Sequence, residues 1–323
     1  MEIAIPFAQV EAINPNISHS NRENPASIYF RCILVCFATF RHFEPEATLV
    51  LYTNKPVANE FANQFQNLRI DIRIIPFTFN PPNIIGDKFR GCFYLFDAIK
   101  NSTATTLFID PDIVAINGIS QVESVCGNRY GIFKLDFNEN TFVNGITLGT
   151  ATRIFNRYHG NTSQFATEKK SGHLGGEILY IPYSRLNEIN EKISNFWAWN
   201  LNEALSERDY LTTEEHILTQ IINDNESEKL NSFISRIWTT KKFTKHQGND
   251  GEINNLLLWH LPAEKSRGFI KLYSQLNKSD FMITMNHEKF KETIKKIMNV
   301  DRKSNLIISY LYSLKSSRLL KIF

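Results

Sequence analysis

Short apolar runs that alternate with segments of helical periodicity constrain the fold of this chain more than any other feature. The runs at 2–7, 48–52 and 106–109 have the length and composition of buried strands. The segments at 27–40 and 88–100 lie between these runs and space their apolar residues as amphipathic helices do. Strands that alternate with helices of this length predict an α/β fold with a mostly parallel central sheet flanked by helices.

The second half of the chain predicts less regular structure. A polar stretch with two glycines at 241–254 predicts a mobile loop. Beyond the run at 106–109, strand and helix patterns lie at 130–133, 176–181, 185–199, 213–222 and 256–261. With 323 residues, 42% of them hydrophobic, the chain is long enough to bury a sizeable core. We expect one domain over 1–285.

Charge is distributed unevenly along the chain. Residues 286–323 carry a net charge of +6, whereas the whole chain carries +3, so residues 1–285 are mildly acidic. We therefore expect a basic helical C-terminal extension over 286–323. Over 302–323 basic residues stand among apolar ones, which favours contact with an anionic membrane surface; the alternative is a helix packed on the domain at 1–285. The near balance of charge argues against a nucleic-acid partner.

The N-terminus and the cysteines favour a cytoplasmic chain. Glu2 stands where a secretory signal carries positive charge, and no apolar run approaches the roughly 18 residues of a membrane span. The four cysteines form no metal-binding CxxC pair, and we interpret them as reduced core residues. The expected localisation is cytoplasmic, with peripheral attachment to the inner face of the membrane through 302–323.

The strongest chemical signal is a pair of acids directly after the predicted strand at 106–109. Asp110 and Asp112 are two residues apart, which places both on one face of an extended chain, at the strand end where open α/β sheets bind ligands. Close carboxylates repel each other, and a hard divalent cation removes that repulsion. The pair predicts a metal site facing solvent; the alternative is an acidic turn bent by Pro111.

Two later segments carry further polar groups. His260 ends an apolar run and Lys265 follows five residues later, so the imidazole suits an Mn²⁺-like ion and the ammonium suits a diphosphate. Gly175 and Gly176 enter a predicted strand, where glycine indicates close approach to a ligand or a bulge. The alternatives are a buried structural histidine and a plain turn.

Charged residues also begin two predicted helices. Glu214 and Glu215 follow two threonines that can cap a helix, and acids in a first turn are favoured by the helix dipole. Capping explains them fully; the alternative is that they face an acceptor hydroxyl. Lys88 and Arg90 begin the helix that precedes the Asp110 strand, where they reach a phosphate or remain solvated.

In their order along the chain, these motifs resemble glycosyltransferases of the GT-A fold, and are most similar to the family 8 type of glycogenin-like and bacterial lipopolysaccharide enzymes. The resemblance covers about residues 1–270. It rests on Lys88 with Arg90, Asp110-Pro-Asp112, His173-Leu174-Gly175-Gly176, Glu214-Glu215-His216, and the segment from His260 to Lys265. The chain departs from the family at Leu174, Glu215 and Arg267, where that family has Asn, Gln and Trp.

The resemblance implies a metal-dependent transferase of polysaccharide biosynthesis. Asp110, Asp112 and His260 would hold Mn²⁺ or Mg²⁺ on the diphosphate of a nucleotide-sugar donor, with a UDP-sugar favoured. The donor-binding residues that it implies are Lys88, Arg90, Gly175, Gly176, Glu177, Lys265 and Arg267. Glu215, together with Glu214, would lie at the reacting face, and the acceptor would be a glycan or a lipid-linked sugar.

Three other functions share parts of this pattern. A haloacid-dehalogenase-type phosphatase begins with the strand that carries its acids, whereas about 105 residues precede that strand here. A sugar-nucleotide pyrophosphorylase has a glycine-rich basic signature near its N-terminus, which 6–25 lack. A non-catalytic carbohydrate-binding protein on the same fold would keep its function after Asp110→Ala.

Overall fold

The computed structural model describes residues 1–10, 24–86, 89–160, 172–222, 224–239, 244–247, 253–276 and 285–300. The strands are β1 (Glu2–Phe7), β2 (Thr48–Thr53), β3 (Ile70–Ile74), β4 (Thr106–Ile109), β5 (Ile113–Ala115), β6 (Tyr130–Leu135), β7 (Phe142–Val143), β8 (Ile146–Thr147), β9 (His173–Ile181), β10 (Ser227–Lys229), β11 (Ile234–Thr239), β12 (Thr244–Gln247) and β13 (Leu258–His260). The α-helices are α1 (Pro25–Phe43), α2 (Asn59–Asn67), α3 (Tyr94–Asn101), α4 (Ser120–Cys126), α5 (Leu148–Tyr158), α6 (Leu186–Leu205), α7 (Glu214–Ile221), α8 (Gly268–Leu276) and α9 (His287–Ile297).

The described residues form a seven-stranded sheet in the order β10-β6-β9-β4-β1-β2-β3. Four of its pairings are parallel, and β9 runs antiparallel to both β4 and β6. Along β1, Ile3 and Ile5 pack into one hydrophobic cluster and Ala4 into another, because alternate residues of a strand point to opposite faces. Both faces of the sheet are therefore covered, and the predicted α/β class with a mostly parallel sheet flanked by helices is confirmed.

A second sheet has four strands among the described residues. The first of them along the chain, β5, is separated from β4 by three residues. Its order is β12-β11-β13-β5. The antiparallel pairing of β13 with β5 sets His260 opposite Ile113, and the parallel pairing of β13 with β11 sets His260 beside Arg236. Three segments that are far apart in sequence thus meet at the carboxyl end of β4.

Helix α1 is the core helix of the larger hydrophobic cluster. Its N-terminus is capped by the Asn24 side chain, which accepts a hydrogen bond from the Ala26 N–H, and Pro25 occupies the first turn. By length and hydropathy α1 would suit a membrane span, so the expectation that no segment approaches one is wrong. Of that stretch, 72% is buried inside the protein, as expected for a core helix.

The basic C-terminal segment begins with a helix that packs on the core. Phe290 and Ile294 of α9 are fully buried, and the ring of Phe290 stacks on that of His42 at 4.0 Å between centroids. The domain boundary between 285 and 286 stays a prediction. The predicted membrane-contacting segment 302–323 lies outside the described residues.

Several elements differ from the sequence-based expectation. The stretch predicted as a loop at 241–254 contains β12, and neither β5 nor β11 was expected. These strands are defined by backbone pairing with neighbouring strands. The sequence of a short or polar segment does not predict such pairing. The α-helix expected at 88–100 begins only at Tyr94, after a 3₁₀ turn over Arg90–Phe93.

Candidate active site

A cleft of about 350 Å³ lies where the chain leaves β4. Its lining includes acidic, basic and imidazole side chains from five separate segments of the chain. These are Asp110, His173, Glu214, Glu215, Arg236, His260 and Lys265. The structure therefore brings the predicted acids, the late histidine and the late lysine into one cavity, together with Gly176.

The two aspartates of the Asp-Pro-Asp motif converge on one imidazole. Nε2 of His260 lies 3.1 Å from Oδ2 of Asp112 and 3.6 Å from Oδ2 of Asp110. One ligand atom from each of the three residues lies within 4.8 Å of the others. A backbone hydrogen bond holds the two segments together, because the N–H of Leu261 donates to the carbonyl of Asp112 at 2.9 Å.

The two aspartates differ in exposure and in charge. The Asp110 side chain is 43% exposed, whereas that of Asp112 is 1% exposed, so the expectation that both face solvent is wrong for Asp112. Burial opposes ionisation of Asp112, but the charges of Lys265 and His260 outweigh it and hold its pKa well below the usual range. Partial burial in the cleft and the charge of Asp112 raise the pKa of Asp110 to about 7.

The cations of this cluster are held by the same carboxylates. Burial disfavours the charged form of His260, but Asp112 and Glu177 overcome it and raise its pKa to about 9. Lys265 is buried in an ion pair with Asp112, which raises the pKa of its ammonium group despite the burial. At neutral pH a proton therefore lies on the imidazole that faces the two aspartates.

The donor set of Asp110, Asp112 and His260 fits a divalent metal. Two carboxylates and one imidazole suit Mn²⁺ or Mg²⁺ better than they suit a soft ion that prefers thiolate ligands. Nε2 already points at both carboxylates, so a dication would take the place of the proton on that nitrogen. These three side chains are the residues that would hold the ion.

A second acidic group lies in the same cleft, at the start of α7. Glu215 accepts hydrogen bonds from the Gly176 N–H at 2.8 Å and from Asn144 Nδ2 at 2.9 Å, and its Oε2 lies 3.2 Å from His173 Nε2. Burial opposes the charge of Glu215, but the bond to His173 outweighs it and lowers its pKa. The predicted cap is also present, because the Thr213 side chain accepts from the backbone N–H of His216.

The pKa of Glu214 shifts in the opposite direction to that of Glu215. Its Oε2 is buried and has no hydrogen-bond partner among the described residues. Burial and the adjacent charge of Glu215 raise the pKa of Glu214 well above its ordinary value. Within the pair, these opposite shifts favour the proton on Glu214 and the negative charge on Glu215.

The two glycines of β9 make room for carboxylates of the protein itself. A Cβ placed on Gly176 would lie 2.8 Å from Oε1 of Glu215. A Cβ placed on Gly175 would overlap Oε2 of Glu177 and lie 2.8 Å from the Phe133 ring. The glycine pair thus permits the close approach of two acidic side chains, and approach of a ligand to these glycines stays a prediction.

Other predicted donor-binding residues lie apart from the cleft lining. Glu177 is buried behind it, 1% exposed, and bound to His260 and Arg236. Arg267 donates to the backbone carbonyls of Thr239 and Ala263 and to Glu264.

The basic residues predicted before β4 are only partly described. Arg90 donates to Oδ1 of Asn83 and is not among the residues that line the cleft. Lys88 lies outside the described residues. For Arg90, Glu177 and Arg267, as for Lys88, contact with a donor stays a prediction.

Two polar residues of the cleft lining, Arg236 and Asn144, were not predicted from the sequence. Arg236 lies on a strand that the sequence did not predict, and no motif surrounds it. Asn144 and Gly145 form the turn between β7 and β8, with φ of 46° and 105°. An Asn-Gly pair between short apolar segments is a strong hairpin signal, so Asn144 could have been found from the sequence.

Neither a protein-family model nor a curated protein sequence matches the chain. Solved structures with similar backbones include the galactosyltransferase LgtC in complex with donor and acceptor sugar analogs, with 13% identity, coverage of 90% of this chain and 99% of LgtC, and a TM-score of 0.49. The bifunctional glycosyltransferase WbbM gives 11% identity, 88% and 52% coverage, and 0.49. The glycosyltransferase GlyE of Streptococcus pneumoniae gives 12%, 92% and 64%, and 0.45.

All three similar structures are glycosyltransferases by name, the class that the sequence motifs resemble. The chain spans about half the length of WbbM.

Proposed function

We propose that this protein is a metal-dependent glycosyltransferase. It would transfer a sugar from a nucleoside-diphosphate sugar, with a UDP-sugar favoured, to a hydroxyl of a glycan or lipid-linked acceptor. The observation that carries the proposal is the convergence of Asp110 and Asp112 on Nε2 of His260, beside buried Lys265, in one cleft with Glu214 and Glu215. This arrangement combines a site for a dication with a separate site for hydroxyl groups.

The aspartate side of the cleft would bind the diphosphate of the donor. A divalent ion held by Asp110, Asp112 and His260 would neutralise the charge that develops on the leaving nucleoside diphosphate. Lys265 supplies a fixed positive charge next to Asp112, in a buried setting where it is weakly screened by water. Asp110, the exposed member of the set, gives up its proton when a cation arrives, because a nearby positive charge favours the ionised form.

The glutamate side would face the sugar and the acceptor. Glu215 is held in place as a carboxylate by a backbone N–H, an amide and an imidazole. In an inverting reaction it accepts the proton of the acceptor hydroxyl; in a retaining reaction it orients the ions at the reacting face. Protonated Glu214 donates a hydrogen bond to a sugar oxygen, which satisfies its buried carboxyl group.

The basic segment at 302–323 would hold the enzyme, in the cytoplasm, on an anionic membrane. It contains five Lys or Arg residues and no acid, and each basic residue near an anionic leaflet contributes about 1 kcal/mol. Deletion of 302–323 should weaken co-sedimentation with phosphatidylserine vesicles and leave donor hydrolysis in solution nearly unchanged. Equal co-sedimentation combined with a lost melting transition would show that the segment belongs to the core instead.

The proposal is tested with a panel of nucleotide sugars. Release of nucleoside diphosphate from each sugar is measured with Mn²⁺, with Mg²⁺ and with EDTA. We expect turnover of at least one donor with metal and none with EDTA. Binding of a sugar ligand with no turnover of any donor, with or without candidate acceptors, would favour a non-catalytic carbohydrate-binding protein.

A further inference from the structure

Glu177 joins the candidate metal segment to a buried arginine. Its carboxylate Oε1 lies 3.1 Å from Nδ1 of His260 and also accepts from Nε of Arg236. Its backbone carbonyl accepts from the N–H of Asp110 at 3.0 Å. Strand pairing sets these positions, because β9 runs beside β4 while Arg236 pairs with His260 across β11 and β13. Glu177 therefore touches the metal segment through both its backbone and its side chain.

The contact with Glu177 determines which nitrogen of His260 carries a proton when the ring is neutral. An ionised carboxylate only accepts hydrogen bonds, so Nδ1 must donate to Oε1. The lone pair of a neutral ring is then on Nε2, the nitrogen that faces Asp110 and Asp112. In metal sites a carboxylate behind a ligating histidine fixes both the tautomer and the direction of the ring in this way.

Arg236 supplies the charge that lets Glu177 stay ionised. The Glu177 side chain is 1% exposed, and Nε of Arg236 donates to its Oε1, so the guanidinium charge lies directly against the buried carboxylate. When His260 becomes a neutral ligand, Arg236 remains as the counter-charge of the carboxylate, so no buried charge is left unpaired. Gly175 provides the space that the carboxylate needs, because a Cβ at that position would overlap Oε2.

We propose that Glu177 is the positioning residue of the metal ligand His260, with Arg236 as its counter-charge. This assignment differs from the donor-hydroxyl contact that the family resemblance implies for Glu177. It rests on the proposed function, since it takes Asp110, Asp112 and His260 as the residues that hold the ion. Glu177 acts through the imidazole and does not touch the donor.

The first test measures the affinity for Mn²⁺ in the presence of UDP, from the electron paramagnetic resonance signal of free Mn²⁺. Glu177→Gln keeps the shape of the side chain and removes its charge, and we expect Mn²⁺ to bind about 10- to 100-fold more weakly. Glu203→Gln is the matched control. Glu203 is also a buried glutamate paired with arginines, on α6, and its loss should leave Mn²⁺ affinity unchanged.

The second test examines the imidazole directly, by ¹⁵N NMR of His260 with Mg²⁺ and UDP. The intact protein should show a protonated Nδ1 and an unprotonated Nε2, and Glu177→Gln should shift the ring toward a mixture of tautomers. Glu177→Asp keeps the charge and withdraws the carboxylate by one methylene, so it should weaken Mn²⁺ binding as well. It also serves as the second variant if Glu177→Gln does not fold.

The outcomes separate this inference from the proposed function. If the intact protein binds no Mn²⁺ with UDP, the proposed metal site fails. If the intact protein binds Mn²⁺ and both Glu177 variants bind it equally well with an unchanged His260 tautomer, the metal site stands and the positioning role of Glu177 is overturned. Weaker binding by Glu203→Gln of the same size would also overturn it, because the loss would then be a general effect of removing a buried ion pair.

Discussion

Two acidic pairs lie at the cleft, Asp110 with Asp112 and Glu214 with Glu215, and different partners stabilise the ionised member of each pair. Asp112 lies at a strand end among cations, bound to Lys265 and His260. Glu215 lies at a helix start and is bound by a backbone N–H, an amide and a histidine. Each has a neighbouring acid with a raised pKa, Asp110 in the first group and Glu214 in the second.

The pKa values of His260, in the aspartate group, and of His216, beside Glu215, shift in opposite directions. His260 lies between two carboxylates, which raise its pKa to about 9 in spite of burial. Burial, assisted by the charge of His173, lowers the pKa of His216 to about 4. The first group is thus prepared to exchange a proton for a metal cation, whereas the second keeps the Glu215 carboxylate beside Glu214 and His216, whose neutral forms are favoured. The same residue types serve two purposes because their partners differ.

Removal of the exposed aspartate should have the largest effect on this comparison. Asp110→Asn takes one ligand from the cation side, and loss of several kcal/mol of charge stabilisation lowers turnover about 10³-fold or more. Since Asp110 is 43% exposed, the melting temperature should change little. Asp71→Asn, an exposed aspartate on β3, is the control and should retain activity. Full activity of Asp110→Asn with Mn²⁺ bound would refute the cation site.

The buried member of the same pair should behave differently in stability. Asp112→Asn leaves Lys265 buried without a charged partner, which costs about 3–5 kcal/mol of the free energy of unfolding. Chemical denaturation of both variants measures the contrast. An equal loss for Asp110→Asn and Asp112→Asn would mean that the two aspartates do not differ in environment as described.

Low pH should lower the free energy of unfolding, because His216, which is next to Glu215, takes up a proton more readily in the unfolded chain. Its pKa is about 4 in the folded protein and near 6.5 in the unfolded chain, so its contribution to stability is complete above pH 6.5 and is lost as pH falls toward 4. The lost free energy of unfolding reaches about 3 kcal/mol at 1.36 kcal/mol per pKa unit. His216→Gln should flatten this acid limb, measured by urea unfolding across pH, and His260→Gln should leave it in place.

Nucleotide binding should depend on the aspartate side alone. UDP should raise the stability of the protein by about 2.7 kcal/mol at 100 times its Kd when Mn²⁺ is present. With EDTA the stabilisation should disappear, and Glu215→Gln should retain it. Thermal shift assays measure both. Equal stabilisation by UDP in EDTA would show that the cation is not needed.

The smallest predicted effect separates the two glutamates. Glu215→Gln removes a carboxylate that is ionised and hydrogen-bonded, and we expect turnover to fall about 10²-fold. Glu214→Gln replaces a protonated acid by a neutral amide, so the loss should stay below about tenfold. Initial rates with a saturating donor give both values. The reverse order of losses would transfer the role of the carboxylate from Glu215 to Glu214.

Local sequence patterns determined much of the α/β frame and the strand end that carries the Asp-Pro-Asp motif. Alternating apolar runs predicted β1, β2 and β4, because burial on both faces of a sheet demands continuous hydrophobic segments. The motif order also indicated His260, Lys265, Glu214 and Glu215, which all line one cleft. The order of the motifs and their resemblance to GT-A glycosyltransferases singled these residues out, because residue type alone left a structural alternative open for the histidine and the two glutamates.

Only the tertiary structure decided how those residues are connected. That Asp112 is buried beside Lys265, that Glu177 contacts His260, and that Arg236 joins them depends on the register of β13 with β5 and β11. These strands are short and paired at long range, so no local pattern specifies their partners. Charge states follow from the same contacts, because the pKa of a buried group is set by neighbours that are distant in sequence.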